Sequence, residues 1–227
     1  MLFNSAHFLV FFPVVVLLFF TLPKRYQWLV LVAASAYFYM AFVPWYVLIL
    51  LFLIVVDYTL GRAIEGEVGK RRKLLLLVSI VANLGTLFLF KYFNFFNENV
   101  GALASWIGWS YSIESLKFVL PIGLSFHVFQ SLSYVIEVYR GNYKAEKHIG
   151  IYALYVLFFP QLVAGPIERP QNLLPQFHTP KFFNWEQTKD GLTLMLWGFF
   201  KKLVIADQVG LIVDNVYGDL YNMPPSA

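Results

Sequence analysis

The sequence predicts an all-α, polytopic transmembrane protein with re-entrant or broken helices, and three observations carry that reading. Of 227 residues, 59% are hydrophobic and only 13% charged, against roughly 25% charged in globular domains. The apolar residues fall into long runs separated by short basic loops, and the mean hydropathy is +0.64. One of those runs, Phe158-Phe159-Pro160-Gln161-Leu162-Val163-Ala164-Gly165-Pro166-Ile167-Glu168-Arg169, begins as a membrane helix and cannot continue as one. Pro160 and Pro166 each lack a backbone donor, and Gly165 adds freedom between them. Free amide groups are not tolerated in hydrocarbon, so such a break must be buried in protein or line a wet cavity.

The first apolar run, 8–22, has no basic residue before it and is followed by Lys24 and Arg25. That order excludes a cleavable signal peptide and favours an uncleaved span whose start lies outside. Further spans are expected at 28–42, 45–60, 74–93 and 118–139, some shorter than the roughly 20 residues a crossing helix needs. Basic residues fix the orientation. Lys24 and Arg25, then Arg62, Lys70, Arg71, Arg72 and Lys73, then Arg140, Lys144 and Lys147 occupy alternate connections, while the segment 94–117 on the opposite side has only Lys117. By the positive-inside rule the basic loops are cytoplasmic.

From residue 149 the pattern changes. If 149–164 crossed, Arg169, Lys181 and Lys189 would lie outside, against the charge bias; a re-entrant segment returning to the cytoplasm resolves the conflict. Residues 191–213 read as a bent pair, or as a helix whose Lys201 and Lys202 reach the cytoplasmic interface. The whole chain, 1–227, reads as part of one membrane domain: five spans to about residue 139, then a broken-helix region over 149–213. It shows no internal repeat and no low-complexity tract.

The break is the first candidate site. Pro160, Gln161, Gly165, Pro166 and Arg169 could wall a cavity open to the cytoplasm, with Gln161 and Arg169 meeting a polar or anionic ligand; a proline-kinked structural element is the alternative. The second candidate is the span around residues 120–141, where Gln130, Ser133, Tyr134 and Glu137 form a polar stripe facing protein or water. Glu137 and Arg140 are spaced to pair. His127, one turn earlier, is an intramembrane ionisable group and so a candidate general base, although no carboxylate lies near it in sequence. Asp57, five residues before Arg62, reads as a structural acid at the membrane edge, and Lys91 as a snorkelling side chain. His7, His148 and His178 sit at ends or in loops. The histidines lack metal-ligand spacing, and without cysteine there is no thiolate chemistry or disulfide. Nothing in the charge pattern points to nucleic acid.

Several blocks, in order, carry a resemblance. They are Asn4-Ser5-Ala6-His7-Phe8, Asp57-Tyr58 with Gly61, Phe90-Lys91-Tyr92-Phe93-Asn94-Phe95-Phe96, and Leu120-Pro121-Ile122-Gly123-Leu124-Ser125-Phe126. Next come Ser133-Tyr134 through Tyr139-Arg140-Gly141, Phe159 to Ile167 of the break, and Gly198-Phe199-Phe200-Lys201-Lys202. Together they make the chain resemble the membrane-bound O-acyltransferase family, in particular its alginate O-acetyltransferase branch. The resemblance implies a multi-pass protein of a bacterial inner membrane. It implies no bound cofactor, but an acyl donor such as acetyl-CoA as a cytoplasmic substrate. The acceptor pathway would lead to an exported polysaccharide such as alginate, with periplasmic acetylation or polysaccharide-export proteins as partners. His127 stands where relatives often carry an aromatic residue. The family's essential histidine belongs to a Trp-His motif, and no Trp-His pair occurs here. The expectation is therefore an N-terminal fragment, inactive alone, whose intact parent transfers acetyl groups. A transporter or flippase for a polysaccharide or lipid-linked intermediate is the alternative, and a degenerate scaffold a third possibility.

Overall fold

The computed structural model describes residues 1–111, 113–116, 121, 123–162 and 165–218, which form helices and no strand. Helix α1 (Ala6–Thr21) is N-capped by Ser5, whose hydroxyl accepts from the Phe8 amide at 3.2 Å. Helix α2 (Gln27–Met40) follows a one-turn 3₁₀ segment. Helix α3 (Val47–Gly66) is extended at its start by the turn Pro44–Tyr46, where proline suits a first helical turn.

Helix α4 (Gly69–Leu87) passes through a π-helical stretch (Phe88–Tyr92) into α5 (Phe93–Trp106) without a break. Then come α6 (Leu124–Arg140), α7 (Ile149–Leu157) and α8 (Pro170–His178). A last run joins α9 (Trp185–Phe200), a π-helical stretch (Lys201–Ala206) and α10 (Asp207–Gly218).

Helices α3, α4 and α6 pack on one another, and α7 is wedged against α2, α3, α6 and α8. Large side chains fill that centre, among them Phe38, Leu50, Ile54, Tyr134, Tyr152 and Tyr155, all buried. Leu48, Phe52 and Val55 of α3 are about half exposed, while Asp57 on the same helix is wholly buried. Apolar outside and polar inside is the arrangement a lipid-facing helix requires. Among the described residues, two helical runs are long and apolar enough to cross a membrane, Pro44–Gly66 and Gly69–Trp106. At 1.5 Å per residue the first spans about 34 Å, matching a ~30 Å hydrocarbon core.

Three expected segments take a more definite form. The helix that carries the fourth expected span does not end with it at residue 93. The helix continues to Trp106 because its amide side chains find partners: Asn94 exchanges hydrogen bonds with the Leu116 backbone at 2.7 and 2.8 Å, and Asn97 donates to the Ile113 carbonyl at 3.0 Å. Of the described residues in 149–164, only Ile149–Leu157 are helical; nine residues reach about 14 Å, less than half the hydrocarbon thickness. Of the two forms expected for 191–213, the structure has the helix rather than the bent pair, one helical run whose π-helical stretch carries Lys201 and Lys202. The start of the span expected at 118–139 lies partly outside the described residues, as do Val163 and Ala164 of the break and the last residues, 219–227.

Candidate functional site: a buried helix break with side-chain caps

A helix that ends inside a protein leaves its last carbonyls without intrahelical donors. The sequence after Leu157 cannot supply them, because Pro160 has no N–H. The structure supplies them from α6 and from the break itself. The Tyr155 carbonyl accepts from the Gln130 side-chain amide at 2.5 Å and from the Gln161 amide at 3.1 Å. The next carbonyl, Val156, lies 3.0 Å from Nδ1 of His127. Since a carbonyl only accepts, that nitrogen carries the proton, and Nε2 is the bare nitrogen of a neutral ring. Two polar residues of α6, one turn apart, therefore close the broken end of α7.

The exposed backbone of the break is handled in the same way. The Phe159 amide donates to the Ser35 hydroxyl of α2 at 3.1 Å. Leu162 and Gly165 donate to the Phe159 and Gln161 carbonyls at 3.3 and 3.0 Å, so the chain turns on itself. The Tyr155 hydroxyl then donates to the Glu168 carbonyl at 2.7 Å, tying the returning strand to the helix it left. Gly123, in the left-handed region at φ +75°, admits α6 to this junction. A Cβ there would stand 2.4 Å from the Leu162 carbonyl oxygen and 3.2 Å from His127 Nε2, so both its conformation and its missing side chain are required.

The predicted site residues thus separate. Gln161 and Gly165 are built into the turn, while Pro160, Pro166 and Arg169 are exposed, Arg169 immediately preceding α8. His127 is buried within the protein and used as a cap. Its ring edge meets Tyr39 of α2 with centroids 6.0 Å apart. His127 Nε2 and the Tyr39 hydroxyl are both buried and have no hydrogen-bond partner among the described residues.

The polar stripe of α6 is likewise divided among neighbours. Gln130 caps α7, the Tyr134 hydroxyl accepts from the Glu146 amide at 2.9 Å, and Glu137 accepts from Gln171 of α8 at 2.6 Å and Asn142 at 3.1 Å. The expected Glu137–Arg140 pair is present but longer, at 3.9 Å. Lys91 lies over the Tyr92 ring at 5.3 Å.

Asp57, expected as a structural acid, is one: it lies at the junction of α3, α4, α6 and α7 with no exposed surface. Its carboxylate accepts from Ser79 at 2.6 Å, from Asn83 at 3.0 and 2.8 Å, and from Ser131 at 2.5 Å. Ser131 also lies 2.7 Å from the Tyr152 hydroxyl. As Ser131 spends its only proton on Asp57, Tyr152 donates to Ser131, and a relay runs Tyr152 to Ser131 to Asp57. Sequence reasoning missed Ser35, Ser79, Asn83 and Ser131. The one legible signal was Ser79 and Asn83, four apart on one face of an apolar helix.

The chain is similar to a probable alginate O-acetylase of Pseudomonas syringae pv. tomato, with 34% identity over 221 residues, 96% of this chain and 42% of the relative. It is similar to a probable alginate O-acetylase of Azotobacter vinelandii at 35% over 228 residues, 96% and 44% of the two chains. A peptidoglycan O-acetyltransferase of Helicobacter pylori matches at 31% over 251 residues, 94% and 46%. The chain thus spans somewhat less than half the length of these relatives. No family model and no solved structure matches it. Kept over almost every residue of the chain, the similarity is to proteins named as O-acetylases and O-acetyltransferases.

Proposed function

We propose that this chain forms the donor-side part of a membrane O-acetyltransferase that passes acetyl groups toward an exported polysaccharide such as alginate. The observation that carries the reading is the α7 break: nine residues of helix end within the protein, sealed by Gln130, His127 and Gln161, and the chain returns to α8 carrying Arg169. Such a re-entrant element leaves Pro160, Pro166 and Arg169 on the surface that the charge bias assigns to the cytoplasm. An acyl donor such as acetyl-CoA would approach there, and the Arg169 guanidinium suits its phosphates. The names of the relatives favour acetyl transfer over transport.

His127 is committed to a carbonyl and is not assigned the activation of the acceptor hydroxyl. The setting is a bacterial inner membrane crossed several times, with periplasmic acetylation or polysaccharide-export proteins as partners. The test uses membrane vesicles bearing the product of the whole gene. Labelled acetyl should move from donor to polymer, and Arg169→Ala should raise the KM for the donor with kcat little changed. Vesicles that export polymer but transfer no acetyl above control membranes would remove the reading.

A further inference from the structure

Two cavities on the same side of the molecule meet at a shared neck. The first, about 310 Å³, is an apolar crevice bounded by α1 through Phe12, Val16 and Phe19, and by Phe158 and Phe159 of the break. From Phe12 to Phe19 it runs about 10 Å along α1, a third of the ~30 Å hydrocarbon core. The second, about 400 Å³, is lined by Lys24, Arg25, His148 and His178. Gln27, Trp28 and Phe177 belong to both.

The neck offers little to a polar ligand. The Gln27 side-chain amide donates to the Phe19 and Lys181 carbonyls at 3.2 and 2.9 Å and accepts from the Lys181 amide at 3.1 Å. The mouth is different. His178 is occupied by the buried Glu146 carboxylate at 2.7 Å, whose other oxygen takes the His148 amide. Lys24 lies over the Phe182 ring and Arg25 over Tyr26, and among the described residues neither is ion-paired. Two uncompensated cations thus frame the entrance to an apolar slot at the cytoplasmic end of α1.

We infer that this composite cavity binds one anionic phospholipid, with an acyl chain in the α1–α7 crevice and its phosphate at Lys24 and Arg25. Charge and shape select that occupant. A free phosphate has no use for the crevice, and a zwitterionic lipid brings its own ammonium beside the two cations, offsetting its phosphate. The bound chain would press on Phe158 and Phe159, so the lipid would buttress the first residues of the break.

The test is lipid retention by the purified 227-residue chain in detergent, followed by native mass spectrometry. Phosphatidylglycerol should be retained about 30-fold better than phosphatidylcholine, the factor two basic side chains at an anionic surface supply. Lys24→Gln with Arg25→Gln should abolish that preference. Val16→Trp, which fills the crevice, should release both lipids while circular dichroism shows unchanged helix content. Glycerol phosphate, a headgroup without tails, should displace neither. Equal retention of the two lipids by the unsubstituted chain overturns the inference, as does displacement by glycerol phosphate, which would mark a simple phosphate site. The wild-type comparison stands whether or not either variant folds.

Discussion

Nδ1 of His127 in α6 donates to the carbonyl of Val156 in the last turn of α7 across 3.0 Å. The one intramembrane histidine of the sequence is thereby a structural donor. His127→Ala strands a buried carbonyl, which costs about 1–3 kcal/mol, with a further cost for the cavity. His127→Phe keeps the volume but loses the donor, so it should fall between wild type and alanine in thermal unfolding in detergent. If the proposed acetyl transfer is assayed with the product of the whole gene, its pH–rate profile should keep its shape in both variants. A general base would instead lose a limb of that profile and about 100-fold or more in rate.

The Asp57 junction should be the most sensitive point in the fold. Asp57→Leu leaves the Ser79, Asn83 and Ser131 donors buried without an acceptor, at a cost of about 1–3 kcal/mol for each that finds no other partner. Asp57→Asn retains one acceptor and turns two donors toward existing donors, so it should also destabilise. Because Ser131 donates directly to Asp57, the double variant with Ser131→Ala should be non-additive by about 0.5–3 kcal/mol. Strict additivity in urea or thermal unfolding would separate the two residues.

Gly123→Ala and Gly191→Ala make an internal control. A methyl group at Gly123 collides with the Leu162 carbonyl at 2.4 Å and sits on a φ of +75°, so loss of about 1–3 kcal/mol is expected. At Gly191, inside α9, nothing lies within 4 Å of the added carbon. There alanine should be neutral or stabilise by up to about 1 kcal/mol. Matched unfolding midpoints for the two variants would contradict the α6–break contact.

The absence of cysteine makes the topology directly testable. Glu168→Cys, on the return from the break, should react with a membrane-impermeant maleimide only from the cytoplasmic side. Trp45→Cys, at the exposed turn between α2 and α3, should react only from the other side. Labelling of both from one face would reject the re-entrant arrangement.

The sequence was most legible where a rule depends on the local chain. Apolar run lengths and the two prolines of the break sufficed for helix class and the premature end of α7, because backbone donors and transfer costs are local quantities. The continuation of the helix past residue 93 was not legible, since Asn94 and Asn97 look like loop residues until the 113–116 backbone is placed beside them. The stripe on α6 was visible as polar, but its residues serve several different partners, and no spacing within one helix reveals that.

What the chain alone determined is an apolar helical protein with a backbone interruption that must be satisfied somewhere. Only the tertiary structure decided where: Gln130 and His127 lie about 25 to 29 residues from the carbonyls they cap, and Ser131 lies 74 from Asp57. A buried polar atom is stable with any suitable partner, so sequence can demand a partner but cannot choose one. Packing α7 between α2, α3, α6 and α8 makes that choice.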